Sequence, residues 1–383
     1  MLQELNVIRV ALKGRSAGKI SRELLFLVLI LSLAGSAMIF SASYAYADAR
    51  YGSPYYFIVR QSIWLIVGIA LMLAVSTIPV EAIYHLSPIL YGITVLLLLA
   101  VLLIGSTGNG AQRWISLGPI TLQPSEIAKT TLVLMLARYY ERNAERAFSR
   151  KAHDSLIRGT LIPFLLIGFI CLLVMLQKHL SGLIIIGCIG ISVMFLSGIR
   201  LRYLGVFGFV ASLGITAFAL FTDYTKRRIT IWQNPELYPL DGGWQTLQGL
   251  MAIGSGGFFG RGFGKSLLKY SYVSEPANDM IFTILCEELG FIGAVATLFL
   301  FALFIRRVFR IALHTSDTFA RLVTLGIGCK VALQTLLNVA VVTNTIPNTG
   351  ISLPFFSYGG SSLLMLFLEM GLLLSISRQS NGI

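Results

Sequence analysis

Residues 245–290 read QTLQGLMAIGSGGFFGRGFGKSLLKYSYVSEPANDMIFTILCEELG, and the rest of the chain is arranged around them. A glycine-rich, basic segment runs straight into an apolar span that opens on Asp279 and carries Glu287 and Glu288 further in. Charge in hydrocarbon costs roughly 2.5–3.5 kcal/mol per residue on insertion scales, so such carboxylates mark groups that face a cavity or a partner charge. On a helix at 100° per residue, Glu287 falls about 80° around from Asp279 and about 12 Å deeper. Asp279 is therefore expected at the interface, within reach of water and substrate, or as a cap on the helix N-terminus. Glu287 and Glu288 are expected to be structural, paired with buried cations such as Lys330.

Composition agrees with a membrane chain. Of 383 residues, 56% are hydrophobic and 12% charged, against about 25% charged in soluble domains. Mean hydropathy is +0.79. The net charge of +13 would suggest nucleic acid in a soluble protein. Here the basic residues lie between apolar runs, so they read as topology signals and contacts to anionic lipid, with no nucleic acid. Cys171, Cys188, Cys286 and Cys329 lie in apolar stretches without paired spacing and read as packing residues. The apolar run at 24–40 exceeds the roughly 7–15 residues of a signal-peptide core and is expected to stay as the first span.

Ten runs approach the roughly 17–25 residues needed to cross a bilayer: 24–41, 61–78, 86–105, 124–140, 159–176, 182–199, 203–222, 279–305, 321–343 and 358–377. With the N-terminus inside, eighteen Lys and Arg fall in inner segments and four in short outer ones. That asymmetry puts both termini in the cytoplasm. The expected fold is an all-α polytopic membrane protein, one domain over 1–383. It has about ten transmembrane helices, a cytoplasmic N-terminus at 1–23, and a large extracytoplasmic loop at 223–278 between the seventh and eighth.

Two further polar groups lie at membrane depth. Glu126 and Lys129 are three apart and share a helix face, as an internal ion pair or as a wall for a phosphate-bearing ligand. Lys330, Gln334 and Asn338 form a stripe along the ninth span, either a helix–helix seam or the lining of a polar groove. In the long loop, Arg261, Lys265 and Lys269 recur every four residues, which would line one helix face and could bind an anionic head group. GFGKS at 262–266 is not a nucleotide loop, because Phe259 stands where the first glycine of that pattern belongs.

Four blocks together resemble the SEDS family (shape, elongation, division and sporulation), the FtsW, RodA and SpoVE type. They are NGAQRWISLGPITLQPSEIAK at 109–129, QTLQGLMAIGSGGFFGRGFGKS at 245–266, SEPANDMIFTILCEELG at 274–290 and NTGISLPFFSYGGSS at 348–362. YYFIVRQSIWLIVG at 55–68 is closer to the division and sporulation branch than to elongation. The resemblance implies a peptidoglycan glycosyltransferase of the cytoplasmic membrane. It would polymerise lipid II, an undecaprenyl-pyrophosphate-linked disaccharide peptide, at the outer face. Its partners would be a class B penicillin-binding protein transpeptidase and divisome or sporulation proteins.

Asp279 falls on the family's essential acidic position, Glu126 and Lys129 on its buried charged pair, and Arg113 with Trp114 on its RW. Asp279 is expected as general base, with Lys129, Glu126, Arg113, Arg261, Lys265 and Lys269 binding substrate. No cofactor is read from the residues, and the chemistry leaves room for a divalent metal ion, Mg or Mn. QKHLSG at 177–182 departs from the family, with His179 where an aspartate is common. A lipid II flippase, or a scaffold for the penicillin-binding protein without chemistry of its own, would use many of the same features.

Overall fold

Ser21 sets the start of the first helix by accepting the Leu24 amide on its hydroxyl at 3.3 Å, the usual way a serine satisfies an orphan N–H. A computed structural model describes residues 18–108, 111–118, 120–147, 152–221, 223–239, 242–270 and 276–379. Residues 1–17 of the expected cytoplasmic segment, with Arg9, Lys13 and Arg15, lie outside them. So do Asn109, Gly110, Arg150, Lys151, Ser274 and Glu275.

Helix α1 (Arg22–Tyr51) ends where Gly52 takes φ +66°, and is followed by α2 (Tyr56–Val75) and α3 (Val80–Ile104). Next comes a three-stranded antiparallel sheet in the order β1 (Ser106–Gly108), β2 (Ala111–Leu117), β3 (Ile120–Leu122). The chain is mostly helical as expected, and this small sheet is its departure from all-α. A glycine- and proline-containing stretch between two helices closes into hairpins once its backbone groups must find partners outside helix.

Pro124 opens α4 (Pro124–Arg142), a position where its missing N–H costs nothing. Beyond short helical turns at Ala144–Ala147 and Ala152–Leu156 and a π-turn at Ile157–Leu161 come three helices, α5 (Ile162–Leu176), α6 (Leu180–Leu196) and α7 (Leu201–Phe221). The expected long loop holds α8 (Asp223–Gln233) and α9 (Gly242–Gly256), followed by an irregular glycine-rich segment. Helices α10 (Ile281–Leu313), α11 (Thr318–Val342) and α12 (Gly360–Gln379) complete the chain.

Each of the ten expected spans falls on one of α1–α7 or α10–α12. Seven of these, α5 with its preceding turn included, are long and apolar enough to cross a membrane. α6 and the apolar part of α7 are shorter, and α4 is interrupted by Glu126 and Lys129.

Helix α11 lies at the centre, packed against α4, α6 and α10. Its Lys330 ammonium meets Glu369 of α12 at 2.5 Å, and Thr130 of α4 donates to the same carboxylate. Lys330 is therefore the partner of Glu369, and not of Glu287 or Glu288 as the sequence suggested.

Those two glutamates serve the glycine-rich segment. Glu288 accepts from Ser41 of α1 at 2.6 Å, from the Gly264 amide at 3.0 Å and from Lys269 at 3.0 Å. Glu287 accepts from Ser266 Oγ at 2.5 Å and the Leu267 amide at 2.9 Å. Helix α10 breaks at Gly290 (φ 68°, ψ −166°), which frees carbonyls of the preceding turn. The Arg261 and Gly262 amides donate into that gap, to the Glu287 and Glu288 carbonyls at 3.0 and 2.9 Å. Buried irregular backbone survives where protein satisfies it, and here the break and the loop satisfy each other.

Candidate functional site

The starts of α4, α6 and α12, the turn before α10, the loop helix α8 and the segment 348–352 surround a cavity of about 810 Å³. Asp279 lines it, in a turn that precedes α10, so the helix begins two residues later than the sequence suggested. Glu126, Lys129 and Arg113 line it too. Lys129 donates to Glu126 at 2.7 Å and both are buried, so the pair is an internal ion pair, and both residues also line the cavity. Arg113, carried on β2, donates to the Lys178 carbonyl at 2.7 Å. The small sheet thus sets a guanidinium beside the α5–α6 connection.

Arg261, Lys265 and Lys269 do not line the cavity. Their expected helix does not form, because glycines 260, 262 and 264 take positive φ and the backbone bonds into the α10 break instead. Lys269 is 2% exposed and spent on Glu288. Arg261 lies 3.8 Å from Glu287, and Lys265 is exposed. The four-residue spacing carried no information once helix was absent.

The residues missed by sequence are those brought in by α8 and by the segment before α12. Arg227, Arg228 and Trp232 of α8 line the cavity, as do Gln245, Thr246 and Tyr358. Arg228 donates to the Asn348 carbonyl, and Trp232 Nε1 to the Asn344 carbonyl at 2.9 Å, which holds α8 against the 344–350 segment. The KRR run at 226–228 was the signal available. The stripe on α11 divides its work: Gln334 lines the cavity, while Lys330 and Asn338 bond between elements.

Four cations (Arg113, Lys129, Arg227, Arg228) and two carboxylates (Glu126, Asp279) therefore face this cavity. Such an excess of positive charge suits a polyanionic group better than a neutral one. His179, in the α5–α6 connection, adds none. Burial, and then the Arg113 guanidinium, push its pKa down to about 3, so the ring is a neutral imidazole. Among the described residues, no three His, Cys, Asp or Glu gather where they could hold a metal ion.

Fold and cavity define a multi-pass membrane protein with a polar, cation-rich site where its helix ends meet. The chain belongs to the FtsW/RodA/SpoVE family, described as cell cycle proteins, whose model matches residues 22–382. Stage V sporulation protein E of Bacillus subtilis (strain 168) is 36% identical over 361 residues, 93% of this chain and 96% of that protein. A probable peptidoglycan glycosyltransferase FtsW of Geobacter sp. (strain M18) is 34% identical, covering 94% and 96%.

Among solved structures, a chain from work on structural coordination of polymerization and crosslinking by a peptidoglycan synthase complex superposes with a TM-score of 0.78. It is 28% identical and the match covers 95% of this chain and 99% of that one. The Thermus thermophilus rod shape determining protein RodA gives a TM-score of 0.70 at 29% identity, covering 95% and 98%.

Proposed function

We propose that this protein polymerises lipid II into glycan strands at the outer face of the bacterial cytoplasmic membrane, in division or sporulation, beside a class B penicillin-binding protein. The observation that carries it is the meeting of Asp279 with four cations in one cavity at the helix ends. In the reaction, a sugar hydroxyl of one unit attacks the anomeric carbon of another. The new C–O bond forms as the bond to the lipid pyrophosphate breaks, and its electron pair leaves with the pyrophosphate. Asp279 takes the hydroxyl proton as general base. Arg113, Lys129, Arg227 and Arg228 stabilise the charge that grows on the leaving group.

Glu126 holds Lys129 in place, and its carboxylate offsets one positive charge. Asp279 is the carboxylate that would help to hold a divalent ion, Mg or Mn, brought in with the substrate. That ion would neutralise charge on the leaving group. A polar cavity at the helix ends suits a substrate whose head is wet and whose tail is in lipid.

The test is strand synthesis by the purified protein, alone and with its transpeptidase, on labelled lipid II. Asp279→Asn is expected to lower the rate by about a hundredfold or more. Normal strand length and rate in that variant would remove Asp279 from the mechanism. Movement of head groups across vesicles without product would favour transport instead.

A further inference from the structure

Three consecutive carbonyls ahead of α10 each accept from a different donor. Ala277 O takes the Tyr358 amide at 2.8 Å, Asn278 O takes Ser357 Oγ at 2.7 Å, and Asp279 O takes Asn338 Nδ2 at 2.8 Å. The same Asn338 nitrogen donates to the Ile351 carbonyl at 2.7 Å. Ser357 in turn accepts the Leu353 amide at 2.8 Å. The turn that carries Asp279 is thus held by α11 and the 351–358 segment.

Asn338 occupies the centre of this frame. It is completely buried, about one turn beyond Gln334, and both hydrogens of its amide nitrogen are used. A nitrogen is required there, since an oxygen facing two carbonyl oxygens would repel both. The segment it ties to Asp279 also lies against the carboxylate, because a Cβ on Gly350 would stand 3.4 Å from Asp279 Oδ2. That segment is itself anchored from outside. Arg228 donates to Asn348, Trp232 to Asn344 and Ser181 to Thr349. The same residues therefore fix the wall of the cavity beside the carboxylate.

We propose that Asn338 is a positioning residue for Asp279, holding the turn 277–279 to the 351–358 segment so that the carboxylate points into the cavity. This rests on the proposed polymerase reaction, in which Asp279 is the base. Removing the donor leaves the cavity and its cations intact and lets the base wander. A displacement of about 1 Å at a reacting group can cost on the order of a hundredfold in rate.

The experiment uses Asn338→Asp, nearly identical in shape but presenting an oxygen to both carbonyls, in full-length protein assayed on labelled lipid II. The expected result is a fall in kcat of about ten- to a hundredfold, with KM for lipid II within about twofold of wild type. Ser357→Ala, which removes the donor to Asn278, is assayed beside it and keeps the test standing if the first variant does not fold. It is expected to show the same split with a smaller loss. If kcat is unchanged in a folded variant, or kcat and KM deteriorate together with thermal stability, Asn338 is not aiming the base. Asp279→Asn separates the two ideas. If it is inactive while Asn338→Asp and Ser357→Ala are fully active, the positioning role alone fails. If Asp279→Asn is fully active, the polymerase mechanism fails and the positioning role with it.

Discussion

Gly260→Ala tests the contact between the glycine-rich segment and the break in α10. Gly260 sits at φ +78°, and an added Cβ would stand 2.2 Å from the Glu288 carbonyl oxygen and 2.6 Å from the Gly290 nitrogen. Both obstacles are backbone, so neither can swing aside. The left-handed conformation alone costs alanine about 1–2 kcal/mol. Parting the two strands of backbone also weakens the bonds from the Arg261 and Gly262 amides, each worth about 0.5–1.5 kcal/mol net. The expected loss is about 2–5 kcal/mol.

Gly257→Ala is the control: φ is +56° and nothing lies within 4 Å of the new Cβ, so only the conformational cost of about 1–2 kcal/mol applies. The assay is reversible SDS-induced unfolding in mixed micelles, followed by tryptophan fluorescence. If Gly260→Ala is destabilised no more than Gly257→Ala, to within about 0.5 kcal/mol, the segment does not dock into the break.

The ion pair between α11 and α12 is equally open to measurement. Lys330→Met leaves the fully buried Glu369 without its cation and is expected to cost about 3–5 kcal/mol in the same titration, while Lys330→Met with Glu369→Met should recover most of it. A single variant as stable as the double would refute the pair. His179 predicts an acid-side loss of stability. Its folded pKa of about 3 lies below the unfolded value of about 6.5, so its contribution is complete above pH 6.5 and is lost as pH falls from 6.5 toward 3. Stability should drop by up to about 1.4 kcal/mol per pH unit in that window, and a profile no steeper than that of His179→Asn would overturn the assignment.

Much of this protein can be read along the chain. The ten runs read from the sequence each fall on a helix, and seven of those helices are long and apolar enough to cross a membrane, where each backbone group must bond within its own segment. Asp279, Glu126 and Lys129 stood out because charge is costly at such positions, Arg113 because it matches the RW of the family, and the fold brings all four to one cavity.

Pairing was another matter. Whether Lys330 meets Glu288 or Glu369, and whether Lys269 faces substrate or a buried carboxylate, depends on helices far apart in sequence. The cations on α8 and the donor at Asn338 gain meaning only when α8, α11 and the segment before α12 meet. Local patterns of residues fix which segments become helix and which charges are expensive. Only packing decides which of those charges and amides come within a few ångströms of each other, since a hydrogen bond or ion pair depends on distance in space and not on spacing in the chain.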